Sequence, residues 1–488
     1  MIKLIYFDKI MSTMKICLIS TPYSHKKFSE NLNVVDDEFG VYPPIGLLYV
    51  GSILKKLNHN ILLIDVHAEK ISKRDFLDKI RKFEPELVGV SMHSVYNFFD
   101  SLKWIKYIKN EFQKIPILVG GFNFNLYPNE HMKYSEIDFG LAGNVLESLP
   151  KFINEFCSTK NFSSISGLYY KRNKKIYSNK NSDICQILDK LPLPDRSLIN
   201  NKLYHQLISK KSNFSIALSL SGCPYNCNFC SISSIKFNVR SPENIIEEIK
   251  DCYYNYNIRE IDFFDAVFTI NKKRTLEICH LLEKLNLNLI WSCRSRIDSV
   301  DEETLRAMAK SGCHRIYYGI ESSDKNVLKT IQKNLNLNKV SNCINLTKKY
   351  GIKALGFFMI GNEDETIKMA KNSIKYSREL NLDYVQYSMV VPKPFTELEK
   401  KTNKYLGYNY WREFMLGNVK EKKIPNLFTK MSKNQILNLT IGAYLMFYFR
   451  PKIIIRNLLE IKSFNEFKRY LKASFKLIFQ FLKKLTIL

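Results

Sequence analysis

Ser221-Gly222-Cys223-Pro224-Tyr225-Asn226-Cys227-Asn228-Phe229-Cys230 decides how this chain is read. Its cysteines follow the spacing C-x3-C-x2-C, with the aromatic Phe229 directly before the third. Three thiolates on one loop can ligate three irons of a 4Fe-4S cube, leaving the fourth iron open to a chelating substrate or cofactor. A partial zinc site, which would need a fourth ligand, and three unrelated cysteines are the alternatives, disfavoured because Phe229 directly before the third cysteine completes a specific pattern. The loop follows the apolar run FSIALSL from Phe214, so it sits at the end of a strand.

Downstream of that strand, EIDFFDAVF, LIWSCRSR, RIYYGIES, ALGFFMIG and YVQYSMVV recur with helical stretches between them. This alternation predicts a six-stranded partial or full (β/α) barrel over residues 206–400. Upstream, KICLIS, ILLIDV, LVGVSM and ILVGG alternate with charged amphipathic stretches. That pattern predicts an α/β, doubly wound, Rossmann-like domain over 14–145, with ligands at the carboxyl ends of its strands. Residues 146–205, with YKRNKKIYSNKNSD and LPLPDRSL, read as a hairpin and linker. Residues 401–488 read as mostly helical.

Composition bounds the function. Among 488 residues, 45% are hydrophobic and 25% charged, which excludes a disordered tail protein. Lys plus Arg number 74 against 47 Asp plus Glu, and the net +27 points to an anionic partner: nucleic acid, a membrane surface or an acidic substrate. Eleven cysteines, an odd number and mostly scattered, suit a reduced intracellular chain. No apolar run reaches the roughly 18–20 residues of a spanning helix; the best, Ile436 to Phe449, is interrupted by Asn438 and Thr440. Residues 1–13 precede a second natural opening at Met14 and read as an upstream extension, set aside from the fold.

Met431–Leu488 carries eleven Lys or Arg and two Glu, a local +9 and a third of the net charge. Phe464, Phe467, Leu471, Phe475, Ile478, Leu482 and Leu485 recur at helical spacing, with Lys468, Arg469, Lys472, Lys476, Lys483 and Lys484 on other faces. Such a basic amphipathic helix suits an anionic membrane interface. Packing of the apolar face on the barrel is the alternative, favoured for Ile436–Phe449, with membrane contact favoured for Phe464–Leu485.

At the cysteine loop the chain resembles the radical S-adenosylmethionine (SAM) superfamily, and FFDAVFTIN, WSCRSRIDSVDEETLRAMAKSGCHRIYYGIESSD and GFFMIGNEDET extend the likeness over about 214–400. The resemblance implies that Cys223, Cys227 and Cys230 hold a 4Fe-4S cluster whose open iron binds SAM. Reductive cleavage would give a 5′-deoxyadenosyl radical that abstracts hydrogen. SAM offers an ammonium, a carboxylate and a ribose diol, which call for acceptors, a cation and further acceptors. Phe229, Asp265, Arg294, Arg296, Glu321, Ser322 and Gly361 are the expected SAM-binding residues; an ordinary ion pair is the alternative for each charged one. Gly356 and Gly361 would admit the adenine. Members usually have Pro-Gly-Glu-Thr where this chain has Glu363-Asp364-Glu365-Thr366.

The first domain resembles the cobalamin-binding domain that precedes the barrel in one subgroup, on Val41-Tyr42-Pro43-Pro44-Ile45-Gly46, Ile64-Asp65 and Gly120-Gly121. The likeness implies cobalamin contacts at Tyr42, Pro43, Pro44, Gly46, Ser91, His93, Gly120, Gly121 and Gly143. The D-x-H-x-x-G motif that supplies a lower cobalt ligand is missing after the first strand. A cobalt without a protein histidine, or with only a weak lower ligand, is therefore the expectation; His67 reads as a loop histidine, and His93, after the third strand, is an outside candidate nearer the expected ligand face. The subgroup resembles anaerobic Mg-protoporphyrin ester cyclases and lipid or hopanoid C-methylases.

The expected activity is hydrogen abstraction followed by methyl transfer from methylcobalamin to an unactivated carbon of a hydrophobic or lipid-like small molecule, with two SAM consumed per turnover. Oxidative cyclisation without methylation is the alternative. An RNA-modifying role ranks below both, because Cys17, Cys157 and Cys185 are too dispersed for a second cluster loop. A flavodoxin- or ferredoxin-type donor would supply electrons. The expected location is cytoplasmic, peripheral to a membrane through the C-terminal helix.

Overall fold

In the computed structural model the described residues are 13–22, 40–143, 145–180, 188–211, 213–419, 426–461 and 463–485. Nearly all of the predicted upstream extension lies outside them, as do the side chains of Leu482, Lys483, Lys484 and Leu485. The chain divides into two units: the described residues of Met1–Ser24, Pro44–Asn200 and Trp411–Asn418, and those of His25–Pro43, Asn201–Tyr410 and Val419–Leu488.

The first unit is built on a seven-stranded sheet: β1 (Lys15–Ser20), β2 (Asn60–Asp65), β3 (Leu87–Ser91), β4 (Ile117–Gly120), β5 (Phe139–Leu141), β6 (Leu168–Arg172) and β7 (Lys175–Ser178), in the order β2-β1-β3-β4-β5-β6-β7. β1 shows why it is a central strand. Cys17 and Ile19 enter one core with Phe76 and Ile105, while Ile16 and Leu18 enter the other with Leu48 and Phe152. A strand buried on both faces needs helices on both. These are α1 (Ile45–Lys56) and α4 (Val145–Cys157) on one side, and α2 (Lys73–Phe83) and α3 (Phe98–Glu111) on the other. Strand order reverses between β1 and β3, the position where doubly wound sheets open a crevice.

The hairpin expected as a linker is part of this sheet. β5 pairs antiparallel with β6, Leu141 opposite Leu168, and β6 with β7. The unit therefore runs to Asn200 and also takes in Trp411–Asn418, which the 401–488 boundary had assigned elsewhere.

The second unit holds six parallel strands in consecutive order: β8 (Phe214–Ala217), β9 (Glu260–Phe263), β10 (Ile290–Ser295), β11 (Cys313–Glu321), β12 (Lys353–Ile360) and β13 (Tyr384–Met389). β8 and β13 do not pair, so the barrel is partial. An open edge is a liability unless something covers it. Here α10 (Lys433–Tyr448) covers β13 with two hydroxyls. Tyr448 Oη accepts from Val385 N at 3.0 Å and donates to Val385 O at 2.8 Å; Tyr444 Oη does the same for Tyr387 at 3.0 and 3.2 Å. The match is geometric: four helical residues rise ~6 Å and two strand residues ~6.7 Å.

Beyond it come α11 (Pro451–Glu460) and α12 (Phe464–Leu485). One face of α12 packs on the unit, with Leu477 buried, Glu466 paired to Lys210 at 2.5 Å, and Arg469 donating to Ser209 O at 2.8 Å. Phe464, Phe467, Leu471, Phe475 and Phe479 form a second, exposed stripe. Packing and exposure are thus both present, on different faces of one helix. No described helix is long and apolar enough to cross a membrane.

Candidate active site

β8 delivers the chain to the cysteine loop, and the loop's shape is fixed by its own neighbours. Gly222 has φ +69°, and a Cβ there would lie 2.4 Å from Ile235 O, so only glycine fits. Leu220 and Ser221 pair antiparallel with Val239 and Asn238, closing the loop's base. Asn228 donates to Thr330 O at 2.9 Å, and Phe229 wedges between apolar clusters formed by Val327, Leu328 and Ile331 and by Met359, Val390 and Leu398.

Asp265, in the loop after β9, is buried and accepts from Ser219 N at 2.8 Å, Leu220 N at 3.2 Å and the Ser219 hydroxyl. Burial pushes its carboxyl up, and the bonds from Ser219 pull it back. Its hydrogen bonds go to the cysteine loop, so it orients that loop. Arg296 holds the other side. Its guanidinium pairs with Asp298 at 2.8 and 2.7 Å and lies 4.0 Å from the centre of the Tyr225 ring, between the first two cysteines. Arg294 sits deeper, donating to Asp262 Oδ1 at 2.9 Å and Phe263 O at 3.0 Å, with its face on Phe264.

The three cysteines, Tyr225, Phe229, Asp265, Arg294, Arg296 and Glu321 line one cavity of about 700 Å³ at the carboxyl ends of the strands. Glu321 has φ +68°, an uncommon conformation for a residue with a side chain, costing of order 1–3 kcal/mol. Its carboxylate receives Lys333 Nζ at 2.9 Å. Lys333 lines the cavity and is absent from the sequence-based site. Its contact arises because the chain returns after a short helix, Lys325–Thr330.

Ser322 and Gly361 lie off the cavity wall. Ser322 Oγ is 3.1 Å from Ser373 Oγ and accepts from Asp324 N, and a Cβ at Gly361 would meet Asn426 and Ile436. In the Glu363–Thr366 turn, Asp364 takes φ +56° at the position where the family pattern has glycine, so the turn keeps a left-handed residue without one.

Burial pushes the Cys223 and Cys227 thiols up, against the pull of Arg296 and Lys333. The two cations, Arg296 and Lys333, suit an anionic ligand beside the cysteines.

In the first unit a separate cavity of about 320 Å³ opens at the switch between β1 and β3, lined by Gly46, Ser91, Gly120, Gly121, Gly143 and Asn125. Gly121 has φ +104°, and a Cβ there would lie 2.9 Å from Met92 O; a Cβ at Gly46 would meet nothing within 4 Å. Gly121 is thus fixed as glycine by its close approach to the Met92 backbone, while the space at Gly46 is open. Pro44 caps α1. Tyr42 and Pro43 fall in the other unit, where the Tyr42 ring packs edge-on against Phe264 at 5.3 Å. His93 does not line the slot. Burial lowers its imidazole to about 4, so it is neutral near pH 7, and Asn97 Nδ2 lies 3.0 Å from Nε2.

Residues 218–397 match the Radical SAM superfamily, and residues 34–150 match the B12 binding domain. An uncharacterized methyltransferase of Pyrococcus horikoshii is 30% identical over 445 residues, 90% of this chain and 94% of that protein. The chain belongs to the B12-binding radical SAM enzymes. An anaerobic magnesium-protoporphyrin IX monomethyl ester cyclase of Rubrivivax gelatinosus is 23% identical, covering 74% of this chain and 66% of that one. Among solved structures, the radical SAM methyltransferase TsrM of Kitasatospora setae shares the fold with a TM-score of 0.64, at 14% identity over 80% of this chain and 76% of that one. The family membership brings a 4Fe-4S cluster, SAM and cobalamin as the cofactors of this radical SAM enzyme.

Proposed function

We propose that this enzyme transfers a methyl group from cobalamin to an unactivated carbon of a hydrophobic small molecule. The observation that carries the reading is that the chain holds both a three-cysteine cavity with acid and base groups for SAM and a glycine-lined slot for a corrinoid. When bound, the cluster and SAM supply hydrogen abstraction and the corrinoid supplies the methyl group. The chain's own residues bind and orient. Asp265 and Arg296 brace the cysteine loop, Glu321 and Lys333 offer one acceptor and one cation to the polar ends of SAM, and Phe229 packs the loop on two apolar clusters.

Reductive cleavage of SAM needs an electron, which an external flavodoxin- or ferredoxin-type donor would supply. Exposed Phe464, Leu471 and Phe475 beside Lys468 and Lys472 support an enzyme held at a membrane surface. Likeness to the Rubrivivax cyclase favours oxidative cyclisation as a second reading. Turnover with methyl-labelled SAM separates the two: label in the product supports methylation, and an unlabelled cyclised product rejects it.

A further inference from the structure

A second cavity in the barrel unit, about 340 Å³, lies between the lower ends of β12 and β13 and the helices α10 to α12. That volume falls within the ~300–1,000 Å³ of small-molecule sites. Its wall is mostly apolar, with Leu355, Val385 and Leu477 inside. Its polar members are Gln386, Ser474, the Tyr444 and Tyr448 hydroxyls bonded to β13, the Tyr384 and Tyr470 hydroxyls 3.5 Å apart, and Asn457, whose amide oxygen is buried without a hydrogen-bond partner. A buried acceptor left unpaired is costly, and a ligand hydroxyl or amide would satisfy it.

Two features give the cavity a direction. Gln386 of β13 lines both this cavity and the cysteine-lined one, so the two abut inside the same unit. At the other end the wall is made by Phe449, Ile454 and Leu458, which are 42%, 41% and 56% exposed. Alongside them α11 and α12 present Leu459, Phe464 and Phe475 at 81%, 78% and 64% exposure, with Lys452, Lys468 and Lys472 exposed on the same helices. Apolar side chains set among lysines match an anionic lipid surface.

We propose that this cavity seats the hydrocarbon chain of an amphiphile drawn from an anionic bilayer, with a polar group of the chain bonded to Asn457. The inference deepens the radical SAM methyltransferase reading, because it assigns the substrate a chain that points toward Gln386 and the cysteine-lined cavity.

The test is a titration of the full-length protein with cis-parinaric acid, whose fluorescence rises in apolar surroundings. Saturable binding of one probe per chain is expected, weakened at least tenfold by Ala473→Trp inside the cavity and by Ile454→Trp at its exposed mouth. The second variant changes a partly exposed position and guards against misfolding of the first. Transfer of the probe from phosphatidylglycerol vesicles should be at least tenfold faster than from phosphatidylcholine vesicles. Leu459→Asp with Phe475→Asp should abolish that difference while binding of free probe persists. Absence of saturable binding, full affinity in both tryptophan variants, or transfer indifferent to vesicle charge overturns the proposal. Cleavage of SAM to 5′-deoxyadenosine, measured on the same preparations, keeps the two readings apart. Lost probe binding with intact cleavage rejects the cavity alone; retained probe binding without cleavage supports the cavity and counts against the radical SAM reading.

Discussion

Lys333 Nζ stands 2.9 Å from Glu321 Oε1, and the pair lies across Gly319, where a Cβ would come within 2.5 Å of the ammonium and 2.7 Å of the carboxylate. Both atoms are the far ends of side chains, so an added methyl displaces the pair more readily than it disturbs the strand. Gly319→Ala should therefore leave unfolding within about 1 kcal/mol of the parent and weaken SAM binding about tenfold, read by equilibrium dialysis and by 5′-deoxyadenosine yield. Unchanged SAM affinity would remove Glu321 and Lys333 from the site.

Replacing Cys223, Cys227 or Cys230 by Ala should abolish the cluster's visible absorbance and all SAM cleavage. Cys293→Ala offers the contrast. Cys293 is wholly buried in the barrel core and does not line the cavity of the three loop cysteines. Its truncation should cost stability of roughly 1–2 kcal/mol as lost packing and leave the iron content per folded chain unchanged.

The cysteine loop was legible in the sequence because cluster ligation needs thiols from one short loop. Both sheets were legible too, since strands such as β1 are buried on both faces and read as continuous apolar runs. Lys333 was not legible, because only the return of the chain after β11 brings it to Glu321. Tyr42 and Pro44 sit two residues apart in one apparent motif, yet fall in different units. Likewise the α12 periodicity displayed the exposed phenylalanines and concealed the packing face, whose anchors Glu466 and Arg469 are charged and looked like solvent residues.

The α10 tyrosines that cover the edge strand should matter for stability. Tyr448→Phe leaves the Val385 N–H and C=O without their hydroxyl partner in a buried setting, a loss of about 1–3 kcal/mol. Tyr444→Phe does the same at Tyr387. Denaturant melts should show each loss, and the double variant should aggregate through the uncovered edge of β13.

Glu365 offers a pH signature. It accepts from Gly361 N at 2.7 Å and Asn362 N at 2.9 Å through one oxygen, while the other, Oε1, is buried without a partner. Burial raises the carboxyl to about 7, against the pull of those N–H groups. A carboxyl raised on folding stabilises fully below its unfolded value, ~4.3, and that contribution is lost as pH rises through the folded value. Stability should thus fall between about pH 4.5 and about 7, by of order 1–3 kcal/mol. Glu365→Gln keeps an acceptor for Gly361 and should flatten that slope in urea melts taken across the range. An unchanged slope would place the titration elsewhere.

Gly46 separates corrinoid binding from everything else. It lies in the first turn of α1 on the wall of the slot, and a Cβ there meets nothing within 4 Å, so a longer side chain would project into open space. Leucine is a better helix former than glycine by roughly 0.5–1 kcal/mol, so Gly46→Leu should hold or raise stability. The same side chain would occupy the slot and exclude a corrinoid tail. After anaerobic reconstitution with cobalamin and gel filtration, the variant should lose corrinoid absorbance while keeping its iron and its SAM cleavage. Methyl transfer to product should disappear with the corrinoid. Retention of a full equivalent of cobalamin by Gly46→Leu would place the cofactor elsewhere, and with it the role of the glycines at Gly120, Gly121 and Gly143.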